Sequence, residues 1–344
     1  MKKKLLSILL AGALALSVTA CSGSDSSTTT SDDAAGTEAV HLTLAHADAA
    51  DGSLFGECTK EFKAMVEEKS NGSIIVDIYP NGQLGTVSEY VTGIQNGTID
   101  LAPAVTSFVA NFCPNVSVFE MPFLFEDYDH VWEALDGSVG ETLTADLEAN
   151  NIIPLIWWGI GFRNVTTSEN HPINSVEDLK GFRIRIMQSE IQQSLFQALG
   201  ADAVPMDWGE LYTALQQGTV DGEENPLFLI QTSRFEEVQD YLSLTGHFYT
   251  AGIATINKAF FESLPEDLQT VVTEAADAAR EEEYRLCDEQ NATALEYLKT
   301  EMEVNEISPE NRQLFVDATA PVYDEVRTEI GDELVDMALA AQAG

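Results

Sequence analysis

Apolar and polar positions alternate in short runs along the middle of the chain. "HLTLAHA" (41–47), "SIIVDIYP" (73–80) and "TIDLAPA" (98–104) read as strands. Between them, apolar residues recur at helical spacing from about Ser53 to Lys69 and from about Val87 to Asn96. Further on, "NIIPLIWWG", "FRIRIM", "TVDGEENP" and "AGIATINK" alternate with more helical segments. Strands and helices in alternation predict α/β layers around a largely parallel sheet. The last third is helical. Leu268, Val271, Val272, Ala275 and Ala279 form an apolar stripe in a segment with no Gly or Pro after Pro265. A helix from about 264 to 301 is predicted, started by a Ser263/Glu266 capping box. At ~1.5 Å per residue it exceeds 50 Å, enough to brace two lobes. A second helical region begins at Ser308–Pro309. Coiled-coil dimerisation is disfavoured because no heptad is sustained, and a monomer is expected.

An internal echo runs through this pattern. "TGIQNGTIDLA" (92–102) and "TALQQGTVDGE" (213–223) match at an offset of 121 residues. Each reads as a helix end, a Gly able to adopt the left-handed position after it, and a short strand whose far end the Asp marks. Two copies predict two lobes of related build, each with a strand edge of the kind where α/β sheets bind ligands.

The first forty residues are different. Lys2, Lys3 and Lys4 precede the 14-residue apolar run "LLSILLAGALALSV", too short for a span of about 20 residues but suited to a secretory signal. "VTAC" places the small Ala20 before Cys21, as in a bacterial lipobox, so residues 1–20 are expected to be a signal peptide and Cys21 the lipidated N-terminus. Residues 21–39 carry no aromatic or large aliphatic residue and read as a tether of roughly 25 Å. The protein is thus expected outside the cytoplasm, lipid-anchored to the outer face of the cell membrane or in the periplasm.

Charge narrows the function. The chain has 17 Lys and Arg against 57 Asp and Glu, a net charge of −40. Loss of the three leader lysines moves it to −43. Nucleic acid, which needs a basic footprint, is excluded as a partner. Cys58, Cys113 and Cys287 include no CxxC pair; one disulfide is compatible with them, but its pairing cannot be read. The five histidines lack metal-ligand spacing, so neither metal nor cofactor is expected. GxSxG and GxxxxGK[ST] are absent, and no nucleophile stands with a recognisable base, so no catalytic residue is assigned.

Binding has better support. Between Lys69 and Lys258 lie five basic residues, and Lys180, Arg183 and Arg185 fall within six positions. Arg185, Arg163 and Asn225 are predicted just past strand ends, where the sheet opens its crevice. A guanidinium fork matches a carboxylate's two oxygens. Arg183, nearer the strand start, is expected to pair with acidic neighbours.

"DLKGFRIRIMQSEIQQSLFQALGADAVPMDWGELYTALQQGTVDGEENPL" (178–227) closely resembles the DctP-type substrate-binding proteins of TRAP transporters, the tripartite ATP-independent periplasmic carriers. "YPNGQLG", "MPFLFEDYDHVWEALDG" and "SLPEDLQTVV" follow the same family in order, so the resemblance covers about residues 40–340. It implies an α/β, two-lobed periplasmic-binding-protein-like fold with a long helix bracing both lobes. Lobe I would hold residues 40–160 plus about 251–290, and lobe II residues 161–250 plus about 291–344. The resemblance further implies that Arg185 pairs with a ligand carboxylate, with Arg163 as a second anchor and Asn225 bonding the same group. Trp208 falls where the family places an aromatic against the ligand, and His46 where it places a polar cleft residue. Delivery to one small and one large membrane subunit is implied. "APAVTSF" lacks the acidic residue and nearby arginine of the family's sialic-acid binders, while "RIMQS" resembles the wording of relatives that take hexuronates. A sugar acid is therefore favoured over a C4 dicarboxylate. The alternatives are the binding protein of an ATP-driven transporter, an extracellular enzyme on the same scaffold, and a sensor partner.

Overall fold

The computed structural model describes residues 39–168 and 171–341; the leader, Cys21 and nearly all of the tether lie outside the described residues. The described residues fall within one compact unit. β1 (Val40–Ala45), α1 (Leu54–Lys69), β2 (Ile74–Tyr79), α2 (Val87–Asn96) and β3 (Leu101–Val105) make a first β-α-β-α-β run. α3 (Thr106–Val109), a 3₁₀ turn at Pro114–Glu120, α4 (Tyr128–Leu135) and α5 (Ser138–Ala149) lead into the 16-residue strand β4 (Ile152–Thr167). β5 (Arg183–Ile186), α6 (Glu190–Ala198), β6 (Asp202–Pro205), α7 (Trp208–Gln216) and β7 (Gly222–Pro226) repeat the run. α8 (Leu227–Thr232), β8 (Tyr241–Leu244), β9 (Tyr249–Asn257), α9 (Lys258–Ser263), α10 (Glu266–Glu301), β10 (Glu303–Glu306), α11 (Pro309–Ile330) and α12 (Asp332–Ala341) complete the chain.

The strands form a single sheet in the order β2-β1-β3-β9-β4-β7-β5-β6, with β8 paired to β4 and to β10. The two runs occupy its two ends. Within each run the pairing is parallel, β2-β1-β3 and β6-β5-β7. The sheet as a whole is mixed rather than largely parallel, because β9 runs antiparallel to β3 and β4, and β4 antiparallel to β7 and β8. β4 joins the two halves: Ile152–Phe162 pairs with β9, and Arg163–Thr167 with β7. The change of partner follows a register shift between Gly159 and Gly161, where Gly161 has φ +134°.

The echoed sequences are equivalent parts of the two runs. Gly97 (φ 73°) and Gly218 (φ 65°) both take the left-handed conformation after their helices. Asp100 and Asp221 precede β3 and β7, so they mark strand starts and not far ends. Each carboxylate accepts from the neighbouring strand, Asp100 from Thr43 N (2.7 Å) and Asp221 from Arg183 N (3.1 Å). Thr43 of β1 is thereby equivalent to Arg183 of β5.

α10 packs on α1 of the first run and on β4, α8 and β10, and its Leu298 shares a buried cluster with Leu211 and Leu215 of α7 in the second run. Its buried stripe is Val272, Ala275, Ala276, Ala279, Glu283, Cys287, Ala294 and Leu298. The expected capping box does not form. α9 ends at Ser263, whose hydroxyl donates to Phe260 O, and Pro265 is the N-cap of α10. Cys58, Cys113 and Cys287 are buried and form no disulfide among the described residues.

Candidate functional site

A cleft at the carboxyl ends of β1 and β5 contains about 620 Å³ of empty space, counted to its open mouth. The equivalence of the two runs explains its walls. Ala47 follows β1 as Met187 follows β5. Val87 and Trp208 are the first residues of α2 and α7, and Ala104 and Asn225 lie in β3 and β7, each pair at the offset of 121. All six line the cleft. The polar members come from the second run and its partner strand β4: Arg185, Asn225 and Arg163. The first run supplies Leu54, Phe55, Tyr90 and Val105, with Phe108 beyond it, and one carboxyl group, Asp48.

Arg185 is 1% exposed. Its Nε and Nη2 donate to Met206 O at 3.1 and 2.8 Å. Nη1 is buried with no hydrogen-bond partner, and no carboxylate forms an ion pair with this guanidinium among the described residues. Burial lowers its pKa to about 10 against the pull of Glu224, so it stays charged at neutral pH. Arg183, two residues earlier on β5, is half-exposed. It pairs with Asp221 and donates to Thr219 O (2.9 Å) and Gly218 O (3.1 Å), as its place in the sequence predicts.

Arg163 also lines the cleft, but its donors are engaged. It lies inside β4, opposite Pro226, and not past a strand end; Arg185 and Asn225 likewise lie within β5 and β7. The cause is the length of β4, which continues past Gly161 into the second half of the sheet. Arg163 Nε and Nη2 donate to the Glu224 carboxylate, Nη2 also to Asn225 Oδ1 (2.9 Å), and Nη1 to Thr250 Oγ1 (3.2 Å). Burial would raise the pKa of Glu224, but the Arg163 charge and the His247 hydrogen bond hold it below the usual value. Burial lowers the pKa of His247, so its 3.1 Å contact with Glu224 is a hydrogen bond from a neutral ring and not an ion pair. Asn225 Nδ2 donates to Glu223, whose carboxyl burial raises to about 7.

Trp208 lines the cleft, half-buried, with an edge contact to Phe235 at 5.8 Å. His46 does not line it. It is 1% exposed, neither ring nitrogen has a partner, and burial, helped by Lys60, lowers its pKa to about 4. By the equivalence of the strands it matches Ile186, a core position, and alternation turns its neighbour Ala47 to the cleft instead. Sequence reasoning missed Asp48 and Tyr90; the signal available was the place of "AHAD" beyond the end of β1. Asp207 is the N-cap of α7 and accepts from Gly209 N, a local role that its spacing predicts.

Another buried acid sits against the start of α6. Glu120, at the end of the 3₁₀ turn, is 1% exposed and accepts from Ser189 Oγ and from Gln192 Nε2 (3.2 Å), both at the start of α6. Burial outweighs these bonds and raises its pKa to about 7. Because Glu120 ionises near 4.5 when unfolded, the native state holds more protons between those values. Its stabilising contribution is complete below about pH 4.5 and is lost as pH rises toward 7, with a slope of at most about 1.4 kcal/mol per pH unit. Urea unfolding between pH 4.5 and 7 should show a flatter profile for Glu120→Gln than for the unaltered protein. Parallel profiles would refute the assignment.

Residues 44–329 match the DctP family, described as bacterial extracellular solute-binding protein, family 7. The 2,3-diketo-L-gulonate-binding periplasmic protein YiaO of Escherichia coli is 33% identical over 75% of this chain and 78% of its own. The C4-dicarboxylate-binding periplasmic protein DctP of Rhodobacter capsulatus is 32% identical over 84% and 87%. The sugar acid binding protein DctPAm of Advenella mimigardefordensis, solved in complex with galactonate, is 35% identical with a TM-score of 0.85, covering 89% of this chain and 98% of that one.

Proposed function

This chain belongs to the DctP family of bacterial extracellular solute-binding proteins, the organic-acid receptors of TRAP transporters, which bind solutes and are not enzymes, and we propose that it captures a sugar acid or related hydroxy acid through Arg185. The observation that carries this reading is the buried guanidinium of Arg185, which lines the cleft with Nη1 unpartnered. A carboxylate would supply the missing acceptor and the missing negative charge together. Arg163 acts on the ligand at one remove, by holding Asn225 in place through Asn225 Oδ1. Trp208 offers its ring to the ligand body.

The two β-α-β-α-β runs are the cores of two lobes, and α10 braces them. The protein works outside the cytoplasm as a monomer, anchored through lipidated Cys21. Support for the anchor is the lysine cluster, the 14-residue apolar run and "VTAC". Bound acid passes to the small and large membrane subunits.

Thermal-shift screening of the purified protein against organic and sugar acids tests the reading. A ligand at ~100 times its dissociation constant adds about 2.7 kcal/mol of stability, and a sugar acid should give the largest upward shift. A screen in which no carboxylate raises the melting temperature refutes it.

A further inference from the structure

We propose that Asp48 decides which acids the cleft accepts, by receiving a hydroxyl of the ligand and turning away a second carboxylate. This rests on the reading of Arg185 as the carboxylate anchor. The guanidinium and amide groups of the cleft stand on one side only. Arg185, Asn225 and Arg163 belong to the second run and β4, whereas the first run contributes apolar side chains, the Tyr90 phenol and Asp48. A ligand whose carboxylate reaches Arg185 therefore presents its other end to the wall that holds Asp48.

The place of Asp48 is fixed by the backbone. His46 N donates to Tyr79 O (3.1 Å), Asn81 N to Asp48 O (2.9 Å) and Gly82 N to His46 O (3.1 Å). These bonds tie the segment after β1 to the turn after β2. The Asp48 carboxyl makes no ion pair among the described residues. Lys60, close enough to weigh on His46, is engaged by Asp51 (2.5 Å) and Glu57 (3.1 Å). Burial raises the pKa of Asp48 to about 6, which leaves it mainly ionised at pH 7.5.

Counting charge then separates the candidate ligands. Glu224 neutralises Arg163, so among the residues lining the cleft Arg185 is the cation without an ion pair and Asp48 the carboxylate without one, while Asp207, beside the cleft at the start of α7, adds its charge near Arg185. A monocarboxylate satisfies the cation, and a hydroxyl at its far end donates to the anion as a charge-assisted hydrogen bond. A dicarboxylate of the same length sets two negative charges against each other in a partly desolvated site, the repulsive element that gives specificity.

Galactonate and galactarate make the test, because they share every hydroxyl between the ends and differ only where one has CH₂OH and the other a second carboxylate. Erythronate and meso-tartrate form the four-carbon pair. By calorimetry at pH 7.5 the unaltered protein should prefer the monoacid of the better-bound pair by on the order of 100-fold. Asp48→Asn, which removes the charge and keeps the size, should shrink that preference at least tenfold, mainly by tightening the diacid. Asp48→Ser is the second variant, and an unchanged circular dichroism spectrum certifies either one. Equal affinity for both members of the pair, or a preference unmoved by either variant, overturns the role of Asp48. If those ligands still lose affinity in Arg185→Ala, the receptor reading stands without it. If no acid binds in an Arg185-dependent way, both readings fall.

Discussion

Replacing Arg185 by alanine should weaken binding of the bound acid by about 2–5 kcal/mol, the usual cost of removing one member of a desolvated charge pair. The guanidinium is almost fully buried, its Nε and Nη2 are held by one backbone carbonyl, and Nη1 has no partner. The protein bears the desolvation of this cation without an ion pair to offset it. Ligand binding is the event that supplies the compensation, so the affinity depends on this side chain more than on any other in the cleft. Arg185→Lys should recover only part of the loss, since an ammonium keeps the charge but not the fork. Arg183→Ala is the matched control. It removes a half-exposed arginine from the same strand, already satisfied by Asp221 and two carbonyls, and should leave affinity unchanged. Calorimetry that finds Arg185→Ala binding as tightly as the unaltered protein would remove the anchor from the account.

The second large effect concerns stability. Glu224→Ala should cost about 3–5 kcal/mol in urea unfolding, because it strands Arg163 as an uncompensated cation in the middle of β4. Glu224 is 0% exposed and receives two guanidinium nitrogens of Arg163 together with the His247 ring. Substituting both partners by apolar residues of similar volume, as in Arg163→Met with Glu224→Leu, should restore much of the loss, since no charge is then left unpaired. A loss below about 1 kcal/mol for the single variant would mean that water or rearrangement reaches Arg163. The contrast with Arg185 is useful. Two buried arginines line one cleft, yet one is closed by a native carboxylate and the other is not.

That contrast marks where sequence reasoning stops. The strands, α1, α2, the long α10 and the duplicated "GT-x-D" turn were legible because each rests on local chemistry: alternation, the Ser53 cap, the Thr86–Glu89 box, and Gly97 and Gly218 in left-handed turns. Arg185 and Arg183 could be told apart from their order along one strand. Arg163 could not be separated from Arg185, because its partner Glu224 is 61 positions away and reaches it only through the β4–β7 pairing. The mixed pairing of the sheet was hidden for the same reason, since strand direction is a property of partners. The Asp48 wall was missed because a lone acid in so acidic a chain carries no signal until the cleft is assembled. His46 shows the converse. Its place in a family pattern suggested the cleft, and one step of strand alternation sends it to the core.

The duplication of the β-α-β-α-β run has an evolutionary consequence. If Arg185 grips the carboxylate and Asp48 reads the far end, as proposed, the two copies have divided these tasks, which are then encoded in different segments of the gene. On that proposal, a lineage could retune its range of acids by drift at Asp48, Val87 or Tyr90, which line the cleft from the first run, while the second copy kept its anchor. A scaffold arranged in this way can diversify its cargo by small steps without passing through a form that binds nothing.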